Sequence, residues 1–154
     1  MHGDLKPENL LVRLDGLLKV GDFGVATLMR RGGPAPRLQL AGAIGGAIVG
    51  TPEYMAPEVL LGGEPDVRAD LYAMGMVLHA CLSGGTPYQV DTPRAFLARK
   101  LDAPGARVPD ASTSTGPVLM PGDLPALVAS LTAPDPDARP VSAAAVATLL
   151  ARIA

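Results

Sequence analysis

Two short apolar runs, Leu10 to Val12 and Leu17 to Val20, flank the dipeptide Asp15-Gly16, and each is joined at its outer end to an acidic string. HGDLKPEN runs from His2 to Asn9 on one side, and GDFG from Gly21 to Gly24 on the other. Asp-Gly between β-prone runs is a turn signal, so this stretch predicts a small hairpin carrying the two acidic strings on its ends. A local device that fixes carboxylates relative to one another constrains the chain more than anything in its composition.

Beyond the hairpin the pattern is helical. Residues 27–50 are rich in Gly, Pro and Ala, with Arg30, Arg31 and Arg37 scattered through them, and show no period; they predict a long loop. Val67 to Leu82 is apolar all round (Leu71, Tyr72, Met74, Met76, Val77, Leu78, Cys81), which predicts a buried central helix stopped by Ser83-Gly84-Gly85. Pro93 to Leu101 reads as a shorter amphipathic helix capped by Asp91 or Thr92. Residues 103–122 read as a surface loop. Asp123 to Leu131 and Ser142 to Ile153 predict two further helices with Asp123 and Ser142 as N-caps, separated by Pro134 to Pro140, which can continue neither. The expected class is mainly α with one small β-hairpin.

Composition narrows the function. Aromatic residues are 3% and Trp is absent, so a core drawn from the 48% hydrophobic residues is mostly Ala, Leu and Val. A net charge of −2 with both signs interspersed argues against a nucleic-acid partner. Cys81 is the only cysteine, which excludes an intramolecular disulfide and a cysteine metal cluster and suits a reducing cytoplasm. The first residues are polar and charged, unlike a secretory signal, and the longest weakly polar stretches, Leu38 to Val49 and Val141 to Ala154, fall short of the roughly 18 residues of a membrane helix. The expectation is a cytoplasmic location, with no membrane span in this chain.

The strings themselves carry a resemblance. In HGDLKPENLL, Asp4 and Asn9 lie either side of Pro7, which stiffens the loop, and the string resembles the H-R-D-x-K-x-x-N catalytic loop of eukaryotic-type Ser/Thr protein kinases. GDFG resembles that family's metal-binding motif, and GTPEYMAPE, from Gly50 to Glu58, its peptide-facing wall and A-P-E motif. A lone DFG is weak evidence; three strings in order are strong. The resemblance runs from His2 to about Ile153 and implies the α+β large C-terminal lobe of a kinase, acting on protein Ser/Thr with ATP and Mg2+.

Residue by residue, it implies that Asp4 accepts the substrate hydroxyl proton, that Lys6 offsets charge on the transferring phosphoryl group, and that Asn9 and Asp22 hold magnesium. Thr51 resembles the residue that hydrogen-bonds the catalytic aspartate and lysine. Gly24 would permit the backbone turn that aims Asp22, with Phe23 packed against His2. Glu58 resembles a buried glutamate that needs an arginine partner, which Arg139 in DPDARP offers. Asp70 matches an aspartate that braces the catalytic loop from below. Leu11, Val77 and Cys81 fall where they would stack under an adenine. Residues 27–50 correspond to the activation loop.

Two departures matter. Gly3 stands where the family usually has an arginine that orders a phosphorylated activation loop, and residues 24–56 hold only Thr27, Thr51 and Tyr54 as hydroxyl residues, so control by activation-loop phosphorylation is not expected. The residues also contain no counterpart of the family's small N-terminal lobe: no glycine-rich loop precedes Asp4, and the strand lysine, its glutamate partner and the hinge are absent. The expectation is a half site, inactive and marginally folded alone, with the N-lobe missing from a truncated start or separately encoded. A non-catalytic kinase-like interaction module is the alternative.

Overall fold

The computed structural model describes residues 1–23, 52–88, 93–103, 105–108 and 123–153. The hairpin forms as its sequence dictates. Strand β1 (Leu10–Val12) pairs antiparallel with β2 (Leu18–Val20), with Leu10 opposite Val20, Leu11 opposite Lys19 and Val12 opposite Leu18. The turn closes through Gly16 N–H to Arg13 O (2.9 Å) and Arg13 N–H to Leu17 O (2.9 Å), and Gly16 takes φ +83°, a conformation that costs an L-residue about 1–2 kcal/mol. Leu17 thus belongs to the turn rather than to β2, and the Asp15 carboxylate accepts its N–H. Leu11, Val12, Leu18 and Val20 are all solvent-exposed on this hairpin.

Five α-helices follow among the described residues. They are α1 (Pro57–Leu60), α2 (Val67–Ser83), α3 (Pro93–Asp102), α4 (Leu124–Leu131) and α5 (Ala143–Ile153). Short 3-10 turns at Pro7–Asn9, Pro52–Tyr54 and Pro136–Ala138 each start on a proline, whose missing N–H costs nothing at that position. The last of them fills the stretch between α4 and α5 that prolines deny to an α-helix.

Helix α2 is the axis of the fold. The Asp66 carboxylate caps it by accepting Arg68 N–H (2.7 Å), and Gly84, at φ 78°, ends it with an N–H donated to Ala80 O. Its apolar circumference divides two clusters. On one side Tyr72 and Met76 pack with Ala56, Leu60, Tyr88, Phe96, Ala106 and Val128; on the other Leu71 packs with Leu127, Leu131 and Val146. Helices α2 and α4 touch at Gly75, where a Cβ would lie 2.7 Å from Leu131 Cβ and 2.8 Å from Thr132 Cγ2. That approach requires glycine.

Ser142 caps α5 by accepting Ala145 N–H at 3.2 Å, whereas Asp123 precedes α4 without a capping hydrogen bond. In the stretch expected as a surface loop, Gly105 and Ala106 are buried, and Ala106 N–H is donated to Thr132 Oγ1 at 2.6 Å. The greater part of 103–122, all of 27–50 and the caps expected for α3 lie outside the described residues. Among the described residues no helix is long and apolar enough to cross a membrane.

Candidate active site

The loop from His2 to Asn9 is held from beneath by α2. Asp70, in the first turn of that helix, accepts His2 N–H on Oδ2 (2.6 Å) and Gly3 N–H on Oδ1 (2.8 Å). Both lone-pair faces of one carboxylate are spent on consecutive backbone donors, which fixes the plane of the chain just before Asp4. Gly3 sits at φ 82°, so at this position glycine removes the steric cost that a side chain would carry. His2 is buried, its Nε2 is 2.7 Å from Gly21 O, and its ring lies 4.6 Å from that of Phe23. Gly21 N–H is donated to Asn9 O. The two acidic strings are therefore stitched together at the open end of the hairpin.

On this platform the polar side chains converge. Lys6 Nζ lies 2.8 Å from Asp4 Oδ2, with both side chains about a quarter exposed. Asn9 is buried, and its Nδ2 is donated to Asp4 O (2.7 Å) and Asp4 Oδ2 (3.3 Å). With the nitrogen side of the amide bound to Asp4, its Oδ1 is directed away as an acceptor. The hydrogen bond to Asp4 raises the Lys6 ammonium above its ordinary pKa; desolvation opposes this, and the charges of Asp4, Glu8 and Asp22 reinforce it. Lys6 is a cation at neutral pH.

Asp22 has φ 55°, the one positive value on a non-glycine residue among the described residues. An aspartate tolerates the left-handed region better than most residues, still at a cost of about 1–2 kcal/mol. Backbone strain of this kind collects at functional sites. Asp22 thus takes the left-handed conformation itself, beside the Gly24 to which the sequence assigns the aiming turn. Gly24 and Thr51 lie outside the described residues.

Further away, Arg139 is buried and bonds Glu58 through both guanidinium arms, Nη1 to Oε1 at 2.7 Å and Nη2 to Oε2 at 2.8 Å. It also donates to Ala133 O, Arg68 O and Pro134 O. Of the residues expected to face an adenine, Leu11 is exposed on β1, Val77 is buried in α2, and Cys81 is exposed. Among the described residues no three His, Cys, Asp or Glu side chains are grouped to hold a metal ion. Oxygen donors from one carboxylate and one amide do match magnesium, which is typically held by one or two carboxylates together with substrate phosphates and water.

One prominent residue escapes sequence reasoning. Lys100, on α3, is fully buried and donates to the carbonyls of Pro52, Glu53 and Met55. A lysine near the end of an amphipathic helix reads as a solvent-facing cation, and only the scarcity of large aromatics in the chain hints at where its partners cluster.

Comparison with known proteins agrees with this geometry. Residues 1–149 match the protein kinase domain family. The chain is similar to the serine/threonine-protein kinase PknL of Mycobacterium tuberculosis, 35% identical over 156 residues, covering 100% of this chain and 35% of PknL. It is also similar to pkn3 of Myxococcus xanthus (38% identical; 74% of this chain, 22% of pkn3) and to Pkn1 of the same organism (42%; 77% and 16%). The chain thus spans about a third or less of the curated relatives it matches. These matches place the chain in the protein kinase domain family, with bacterial serine/threonine-protein kinases as its relatives.

Proposed function

We propose that these residues form the large-lobe half of a Ser/Thr protein kinase active site. The observation that carries the reading is the Asp4 carboxylate held between Lys6 and Asn9 on a loop pinned by Asp70. Asp4 accepts the proton of a substrate Ser or Thr hydroxyl as its oxygen bonds the γ-phosphorus of ATP. The bond to the bridging oxygen breaks and ADP leaves. Lys6, kept protonated by Asp4, faces the charge on the moving phosphoryl group, and preorganised charge of this kind carries most of the catalysis in phosphoryl transfer. Asn9 and Asp22 would hold magnesium, which when bound neutralises phosphate charge.

The remaining parts of an ATP clamp come from a small lobe outside these residues. The exposed apolar side chains of the hairpin, Leu11, Val12, Leu17, Leu18 and Val20, offer it a surface beside the site. Positioning dominates this chemistry, so the chain by itself transfers no phosphate. The test measures transfer from radiolabelled ATP with Mg2+ to a Ser/Thr protein such as myelin basic protein, with and without a separately expressed kinase small lobe added. Turnover requires the added lobe and falls at least about 100-fold in Asp4→Asn and in Asp22→Ala. Equal rates in wild type and Asp4→Asn would refute the assignment.

A further inference from the structure

The chain has three lysines, three tyrosines and two phenylalanines. One of those lysines takes up three of those five rings. Lys100 Nζ lies 4.9 Å from the ring centre of Phe96, 5.0 Å from Tyr72 and 5.8 Å from Tyr88, with no solvent exposure. Its three N–H groups reach Pro52 O (2.9 Å), Glu53 O (2.8 Å) and Met55 O (2.5 Å). An ammonium has three donors and no acceptor, so this set uses it completely.

The need for it is written in the segment it holds. Pro52 and Pro57 bring no N–H of their own, and the short 3-10 turn at Pro52–Tyr54 closes on one carbonyl, with Met55 N–H donated to Pro52 O at 3.2 Å. Three aromatic faces stand in for the water the cation has lost. The Arg139 guanidinium also lies over the Tyr72 ring, 4.9 Å from its centre, and grips Glu58. A single layer thus runs from Lys100 through Tyr72 to the Glu58–Arg139 pair and closes both ends of the 52–58 segment.

We propose that Lys100 is a positioning residue for the acceptor peptide: it fixes the backbone of residues 52–55 as the wall along which the peptide lies. This rests on the kinase reading of the site. Lys100 itself touches no substrate, because all its donors are spent on the wall. Its loss therefore loosens acceptor binding and leaves ATP binding alone.

Two measurements test this in the full chain, with a small lobe supplied where turnover needs it. The first is amide hydrogen exchange in Lys100→Met. Amides of residues 53–56 are expected to exchange at least about tenfold faster, with α2 unchanged. The second is kinetics, with the KM for myelin basic protein expected to rise about tenfold and the KM for ATP to stay within about twofold. Lys100→Gln, which keeps two N–H donors, should show the same pattern at smaller size, and it replaces Lys100→Met if that variant does not fold. Unchanged exchange at 53–56 overturns the proposal, as does faster exchange spread evenly over α2. So does faster exchange at 53–56 without a rise in the acceptor KM. Absence of turnover in every arrangement would sink the kinase reading instead, and the exchange result would then decide the clamp alone.

Discussion

Replacing Arg139 by methionine removes a cation from a site with no solvent exposure, while Glu58 keeps a side chain 24% exposed. The methionine retains an apolar stem against the Tyr72 ring, so the packing loss is small and the polar loss dominates. Breaking a buried ion pair from one side costs roughly 3–5 kcal/mol, because a charge is left without its partner. The partial exposure of Glu58 lets water screen it and pulls the estimate toward the lower end. Against that, Ala133 O, Pro134 O and Arg68 O lose a donor, each worth ~1–3 kcal/mol if left buried and unanswered. These losses overlap, and a net cost of about 3–4 kcal/mol follows. Against a domain stability of ~5–15 kcal/mol, that is between about a fifth and four fifths of the whole. Urea unfolding followed by circular dichroism should show the midpoint falling by about 1–3 M. Pairing the change with Glu58→Gln should recover part of the loss, since the stranded carboxylate is then gone. A loss under about 1 kcal/mol in Arg139→Met, or strict additivity in the double variant, would refute the reasoning.

Gly75→Ala gains about 1 kcal/mol of helix propensity but forces a Cβ to 2.7 Å from Leu131, an overpacking cost of ~1–3 kcal/mol. A net fall in the urea midpoint is expected, and a rise would contradict the α2–α4 contact. Asp70→Asn leaves one of the His2 and Gly3 N–H groups without its charged acceptor, so kcat in the lobe-completed enzyme should drop about tenfold or more; an unchanged kcat would free Asp70 from any role in bracing the loop. Burial pushes the Lys100 pKa down to about 7; Glu53 and Glu58 favour its charge, Arg139 opposes it, and burial keeps the Tyr72 and Tyr88 phenols neutral by raising them. Between about 7 and the ordinary 10.5 the folded chain holds Lys100 as the neutral amine, with two N–H donors for its three carbonyls, while the unfolded chain keeps the extra proton, so this group makes stability rise with pH, at up to ~1.4 kcal/mol per unit. Thermal melts of Lys100→Met should lack that slope, and an equal slope in both proteins would assign it elsewhere.

What could be read from the sequence was whatever its local chemistry already contained. Asp15-Gly16 between apolar runs dictates a hairpin, and an all-round apolar stretch stopped by Ser83-Gly84-Gly85 dictates α2. The Glu58–Arg139 pair was legible for a different reason: the family resemblance implied a buried glutamate with an arginine partner before the last helix, and DPDARP offers that arginine. Elements too short to show a period, such as α1 and the turn at Pro52–Tyr54, left no such trace. Lys100 is the instructive miss. Nothing local distinguishes it from Arg99 beside it, which stays exposed. Its burial is decided by three carbonyls 45–48 residues earlier and by rings from α2, α3 and the segment after α2. Helical periodicity assigns a lysine to solvent because a bare buried ammonium is prohibitively costly. That inference fails only where the fold supplies all three acceptors at once. A buried lysine of this kind is therefore a mark of tertiary structure built around one segment, and here that segment is the one the catalytic reading assigns to the acceptor peptide.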